Sequence, residues 1–250
     1  MEYSVERQIA GSTLRIETGK LAKQADGAVK LTYGETVVLV TAVSEKEPKD
    51  LPFLPLTVEY REKQYAAGKF PGGIIKREGR PTTKETLTMR LIDRPLRSLF
   101  PDGYRCETQV IATVLSADDE NDPDLLALIG GSAALAISDI PWAGPVGACR
   151  LGLHEDQFVV NPTYTQREEG EMEMVMCGKR QQVVMMEGFA DMLPEDDMMA
   201  AINYGNDATV DVVDMITELQ DQAGKEKRVF EPPKEGEKAL DMVESYYDRF

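Results

Sequence analysis

Apolar residues recur at every second position in some stretches of this chain and at every third or fourth in others, which separates strands from helices. Arg7-Gln8-Ile9 and Leu14-Arg15-Ile16-Glu17 flank Ala10-Gly11-Ser12 and read as two strands joined by a short turn. Residues 28–33 form a third strand, followed by Gly34-Glu35 and the β-branched run 36–43. A continuous apolar run entered through a glycine turn predicts a strand buried on both faces. Residues 56–60 alternate cleanly and give another strand. Residues 64–81 read as a loop rich in Gly and Lys, with Pro71-Gly72-Gly73 inside it and Arg80-Pro81 at its end. Thr82 and Glu85 have the spacing of a capping box, so a helix starts there and continues through Leu87, Leu91 and Ile92 until Pro95 stops or kinks it. Residues 107–115 return as a strand, and Asp122-Pro123 supplies an N-cap and first helical position for a helix reaching Ala136.

The second half repeats the order. Strands are predicted at 146–152, 157–160, 172–177 and 182–187, then a long helix from about Pro194 to Gln222, ended by Gly224. Strands then helix, twice over, predicts an α+β fold, a mixed sheet backed by helices, with halves at about 1–140 and 141–230. Glu231-Pro232-Pro233-Lys234 reads as a linker and 235–250 as the start of a further amphipathic helical segment. The methionines Met172, Met174, Met176, Met185, Met186, Met192, Met198 and Met199 alternate as core residues do, which argues against a soft-metal site.

Composition changes this picture in one respect. The chain carries 28 Lys and Arg against 44 Asp and Glu, a net charge of −16, which by itself disfavours a nucleic-acid partner. The charge is unevenly placed: residues 61–105 hold eleven basic and five acidic side chains. At a screening length of about 8 Å, a polyanion beside that segment feels the local charge more than distant acids. Cys106, Cys149 and Cys177 lack the spacing of a zinc site or a disulfide framework. No apolar run approaches the roughly 18–20 residues of a membrane span, and the N-terminus lacks signal-peptide features, so a cytoplasmic protein is expected.

Candidate chemistry concentrates between residues 68 and 105. Ile74, Ile75, Lys76 and Arg77 place two apolar residues beside two cations on a glycine-hinged loop, a pattern suited to single-stranded nucleic acid. Arg80 closes the loop. Arg90, Arg94 and Arg97 fall at i, i+4 and i+7, so one helix face presents three guanidinium groups. Two readings fit that face: phosphate binding, or pairing with the protein's own acids such as Asp93. His154, the single histidine, sits in a predicted hairpin turn, and no nucleophile elbow, phosphate loop or dinucleotide fingerprint occurs.

The block from Ala67-Gly68-Lys69 to Leu99-Phe100-Pro101, with Gly34-Glu35-Thr36, Leu115-Ser116-Ala117-Asp118 and Gly130-Gly131-Ser132, resembles the first core domain of polynucleotide phosphorylases. The resemblance covers about residues 3–230. It implies an RNase PH-type fold over 1–230 and the start of an all-helical linker domain at 231–250. It further implies a parent enzyme, a nucleotidyltransferase that degrades RNA from the 3′ end with inorganic phosphate and Mg²⁺ or Mn²⁺. Homotrimeric rings, a second RNase PH-like core, KH and OB-fold domains and membership of an RNA degradosome in mRNA turnover belong to the same expectation. In that family a Phe-Phe-Arg-Arg loop grips RNA; here Ile74-Ile75-Lys76-Arg77 keeps the charges and loses the rings. The catalytic core of the family pairs a serine-rich phosphate loop with a Gly-Asp-Met-Asp strand. This chain has Gly170-Glu171-Met172-Glu173 and an acid-rich 118–124 instead, so catalysis is expected in a second core and no catalytic residue here. Glu171 and Glu173 share one strand face, either as weak metal candidates or as a solvated strand edge. The alternative to an enzyme portion is a stand-alone RNA-binding or ring-assembly module.

Overall fold

The computed structural model describes residues 1–231 apart from Ile75, Asp119 and Gln181. The expected linker helix at 235–250 lies outside the described residues. A six-stranded sheet opens the fold, from β1 (Tyr3–Ile9), β2 (Ser12–Thr18), β3 (Gly27–Tyr33), β4 (Thr36–Pro48), β5 (Leu56–Arg61) and β6 (Cys106–Ser116). Its spatial order is β1-β2-β3-β4-β6-β5. All neighbours are antiparallel except β5 and β6, which makes the sheet mixed. The parallel pair needs a crossover, and α1 (Thr83–Arg97) supplies it. A second, four-stranded sheet has the order β10-β9-β7-β8, from β7 (Gly147–His154), β8 (Gln157–Val160), β9 (Met172–Lys179) and β10 (Gln182–Ala190), and is wholly antiparallel.

Helix α2 (Pro123–Ile137) lies between the sheets and touches β3, β4 and β6 on one side and β7 on the other. Every residue of α2 is buried, as a helix that is apolar all round requires. The close approach depends on Gly130, where an added Cβ would stand 2.4 Å from Val40 Cγ2 and 2.7 Å from Leu31 Cδ1. One hydrophobic core therefore runs from Val5 in β1 to Leu219 in the last helix, α4 (Glu195–Ala223). The motif blocks Gly34-Glu35 and Leu115–Asp118 meet in space. Gly34 turns β3 into β4 with φ of +60°, the Glu35 amide donates to Asp118 Oδ2 at 3.0 Å, and the Asp118 amide donates to Thr36 Oγ1 at 3.2 Å.

Four details depart from the sequence expectation. β4 alternates buried and half-buried residues rather than burying both faces, because α2 covers one side of the sheet only. Pro95 does not end α1; the helix continues to Arg97, since a proline in the last turn sacrifices a single backbone bond near an end that frays anyway. Met172, Met174 and Met176 of the inner strand β9 are buried as expected, whereas Met186 on the outer strand β10, Met192 in the turn after it and Met199 in the first turns of α4 are exposed, because each lies where no other element among the described residues covers it. A short helix, α3 (Tyr164–Glu169), was missed although Thr163 and Gln166 form its capping box.

Candidate functional site

The basic loop projects from a pinned base. Gln64 N donates to Glu78 Oε1 at 3.0 Å, Arg61 Nη2 to the Gly79 carbonyl at 3.1 Å, and Ala117 N to the Ala66 carbonyl at 3.1 Å. At the far end the Thr82–Glu85 capping box starts α1, and Glu85 also accepts from Glu62 N at 3.0 Å. Burial alone raises the Glu85 carboxyl, but the Thr82 and Glu62 amides and the Arg61 charge together hold it below the usual carboxylate range. Between these anchors, no hydrogen bond joins residues 70–77 to the body among the described residues. Gly73 and Lys76 take left-handed backbone, φ +76° and +48°, which folds the tip sharply.

The tip carries its chemistry outward. Phe70 is 84% exposed and Ile74 fully so, with Lys69, Lys76, Arg77 and Arg80 also exposed. Among the described residues no carboxylate lies within ion-pair distance of these four cations or of Arg90. The arginine face of α1 is divided. Arg90 is exposed and unpaired, Arg94 pairs with Glu187 of β10, and Arg97 turns back onto its own protein. Arg97 Nε and Nη2 donate to Asp93 at 2.8 and 2.7 Å, and Nη1 and Nη2 to the Leu54 and Leu56 carbonyls at 3.1 and 3.0 Å. The row of three free guanidinium groups is thus not formed. Ile75 lies outside the described residues.

A second cationic group sits in a cleft of about 490 Å³ beside the first turns of α1, lined by Lys84, Asp122, Asp124, Arg150, Arg167 and Glu173 among others. Here every charge has an opposite. Arg150 rises from the buried strand β7 and its Nη2 meets Asp124 Oδ2 at 2.6 Å, its Nη1 Asp122 Oδ2 at 3.3 Å and its Nε Glu173 Oε1 at 3.1 Å. Arg167 of α3 bridges Asp122 at 3.1 Å and Glu173 at 2.7 Å, while Lys84 joins Asp122 at 3.3 Å to Glu62 at 3.0 Å. Burial pushes the Asp122 carboxyl up, and the Arg150, Lys84 and Arg167 charges more than offset it, leaving it below its ordinary value. The network ties α1 and α2 of the first half to β7, α3 and β9 of the second.

Two family models match the chain, described as the 3′ exoribonuclease family, domain 1, over residues 12–141, and domain 2 of the same family over residues 144–208. The chain belongs to the 3′ exoribonuclease family. Its curated relatives include polyribonucleotide nucleotidyltransferases of Afipia carboxidovorans, 53% identical over 90% of this chain, and Bradyrhizobium diazoefficiens, 54% identical over 91%. Each match takes up 32% of the relative, so the chain spans about a third of the length of the proteins it matches. Rice (Oryza sativa) Rrp46 shares the fold with a TM-score of 0.68 over 86% of this chain and 96% of that one, at 16% identity. The resemblance to the first core of polynucleotide phosphorylases and the RNase PH-like α+β fold both stand on these matches.

Within this exoribonuclease fold, Glu173 pairs through Oε1 with the two guanidinium groups of Arg150 and Arg167, and Glu171 is exposed just outside β9. Among the described residues no group of three or more His, Cys, Asp or Glu side chains is placed to hold a metal ion. Asp122 caps α2 as expected, its side chain accepting from Asp124 N, and with Asp124, Glu173 and Glu62 it also supplies the anions of the cleft network. Sequence reasoning missed its centre, Arg150, although a lone arginine inside Gly147–His154 was a visible signal of a buried partner. Cys149 and Cys177 are buried, and burial pushes each thiol up to about 12. No helix among the described residues is long and apolar enough to cross a membrane.

Proposed function

We propose that this chain is the RNA-guiding core portion of a polyribonucleotide nucleotidyltransferase, a phosphorolytic 3′-to-5′ exoribonuclease of mRNA turnover. One observation carries the reading: among the described residues, Lys69, Lys76 and Arg77 have no ion-pair partner, beside exposed Phe70 and Ile74 on a loop whose hydrogen bonds to the body lie at its base. Cations for phosphates and apolar surface for base faces are what a sequence-tolerant single-strand site needs. Arg80 and Arg90 extend the track, and Arg94 joins it where RNA outcompetes Glu187. Catalysis then resides in a second RNase PH-like core, which binds Mg²⁺ or Mn²⁺ and inorganic phosphate. The cleft here supports that division, because its cations are already matched by carboxylates. A cytoplasmic trimer, with the RNA degradosome as a further partner, completes the reading.

The test is fluorescence anisotropy with labelled oligo(A) over a salt series. Lys76→Glu with Arg77→Glu is expected to weaken binding on the order of tenfold and to reduce the slope of log affinity against log salt by roughly 1.4, two phosphate contacts at about 0.7 each. Unchanged affinity would remove the loop from the RNA path. Incubation of the chain with oligo(A), phosphate and Mg²⁺ checks the other half of the proposal: release of ADP would place an active site in this chain.

A specific observation favours assembly as a second reading. The outer strand β10 exposes Val183, Met186 and Phe189, the kind of apolar edge that partners cover. Light scattering separates the two, since a stable oligomer of this chain alone makes ring building its own property.

A further inference from the structure

The outer strands of the two sheets, on the side away from β10, meet at a groove for which RNA guidance has no use. β1 is the free edge of the six-stranded sheet and β8 that of the four-stranded sheet, and α4 packs against both. Ile9, Phe158, Val160, Tyr204 and Ala208 line a groove of about 430 Å³ between them. The Phe158 and Tyr204 rings stand 5.6 Å apart at a tilt of 34°, and Tyr204 is 46% exposed.

One flank of this groove is strongly negative. Asp207, Asp211, Asp214, Glu218 and Asp221 follow one another along α4 at spacings of four and three residues, which places them on one helix face. No Lys or Arg occurs in α4. Asp211 lines the groove and meets Arg7 at 3.3 Å, and Asp214 meets Arg180 at 2.5 Å. Among the described residues no cation lies within ion-pair distance of Asp207, Glu218 or Asp221. Like charges at these spacings destabilise a helix, so the stripe works against the fold unless an opposite charge covers it.

We propose that this groove docks a basic, extended segment of a protein partner. One aromatic or branched side chain seats against Phe158 and Tyr204, and flanking Lys or Arg side chains lie on the α4 acids. Charge complementarity selects the occupant: the same carboxylates repel RNA, while free strand edges offer backbone N–H and C=O groups to an extended chain. The molecule then sorts its partners by face, polyanion at the 69–77 loop and polycation along α4. The proposal stands independently of the RNA reading.

Anisotropy with the intact 250-residue chain tests it, using a fluorescein-labelled peptide that alternates Lys with Val around a central Phe. Saturable binding is expected, weakened about tenfold or more by Phe158→Ala with Tyr204→Ala and similarly by Asp207→Asn with Asp211→Asn. Lys76→Glu with Arg77→Glu should leave it unchanged. Because losing Phe158 can loosen the smaller core around Leu151, Ala208→Gln serves as a second variant that fills the groove from the helix side. Equal binding of a peptide with Glu in place of Lys, no saturable binding, or indifference to all the groove variants overturns the proposal. So does self-association in light scattering that the same variants abolish, which assigns the groove to a second copy of this chain.

Discussion

Two regions of this molecule hold cations in comparable number and use them in opposite ways. In the cleft, Lys84, Arg150 and Arg167 share Asp122, Asp124, Glu173 and Glu62, and Arg150 is buried. On the loop, Lys69, Lys76 and Arg77 face solvent, with no carboxylate among the described residues in reach. A buried cation must be paired because desolvation is costly, and once paired it has little to offer a ligand. An exposed cation contributes little to stability and retains its charge for a partner. Residue type therefore does not distinguish a binding site from a structural clamp; the partner does.

The largest expected effect attacks the cleft. Arg150→Met takes the ionic partner from buried Asp124 and leaves Asp122 with Lys84 and Arg167 alone, and should cost about 3–5 kcal/mol of folding stability. Urea unfolding followed by circular dichroism measures it. The loop variant Lys76→Glu with Arg77→Glu is expected to unfold at the wild-type midpoint. If both proteins unfold alike, the contrast between clamp and binding surface fails. The next effect divides α1 in the same manner. Arg97→Ala removes donors from Asp93 and from the Leu54 and Leu56 carbonyls, with a loss of about 1.5–3 kcal/mol in the same assay. Arg90→Ala, two turns back along the same helix face and without those contacts, should stay within about 0.5 kcal/mol of wild type and lower oligo(A) affinity instead.

Much of this was legible in the sequence. The Thr82–Glu85 capping box, the Asp122-Pro123 helix start, the hairpin at His154 and the long terminal helix follow from local rules, and local rules acted at those places. The basic loop was legible for the same reason, since among the described residues no hydrogen bond joins positions 70–77 to the rest of the fold. The arginine face was not. Spacing places Arg90, Arg94 and Arg97 together, but Glu187 is 93 residues from Arg94 and the Leu54 carbonyl 43 residues from Arg97. Asp122 and Asp124 likewise find Arg150 at 28 and 26 residues' remove. Pairings made by sheet order and crossover have no periodic signature, so the charges that the fold uses looked the same as those it leaves free.

A gain-of-function change sharpens the loop side of the contrast. Ile74 is fully exposed, so Ile74→Phe adds a stacking face without removing a packing contact. Oligo(A) affinity should rise by about 1 kcal/mol, roughly fivefold, at unchanged salt slope. A rise that comes with a steeper slope would mean that the loop had moved its cations rather than gained a base contact.

The smallest effect asks how a carboxylate is held when no cation is near. Burial raises the Asp118 carboxyl, but Asn121 Nδ2 at 2.9 Å and the amides of Asn121, Glu120 and Glu35 at 2.6, 3.0 and 3.0 Å more than reverse it, so its folded value lies below the ordinary one. The unfolded chain then binds the proton more readily than the folded one. Asp118 accordingly contributes stability above the ordinary aspartate value near pH 3.9 and loses it as pH falls through the lower folded value. Asp118→Asn should cost on the order of 1 kcal/mol at neutral pH, with the gap to wild type closing as the solution is acidified through that window. Salt should leave the gap unchanged, because amide dipoles at hydrogen-bond distance are not screened. In the cleft, where cations hold Asp122, Asp122→Asn should lose more at neutral pH and close its gap over the same acid range. A gap at Asp118 that widens towards acid would mean that its turn is held by something other than the ionised carboxylate.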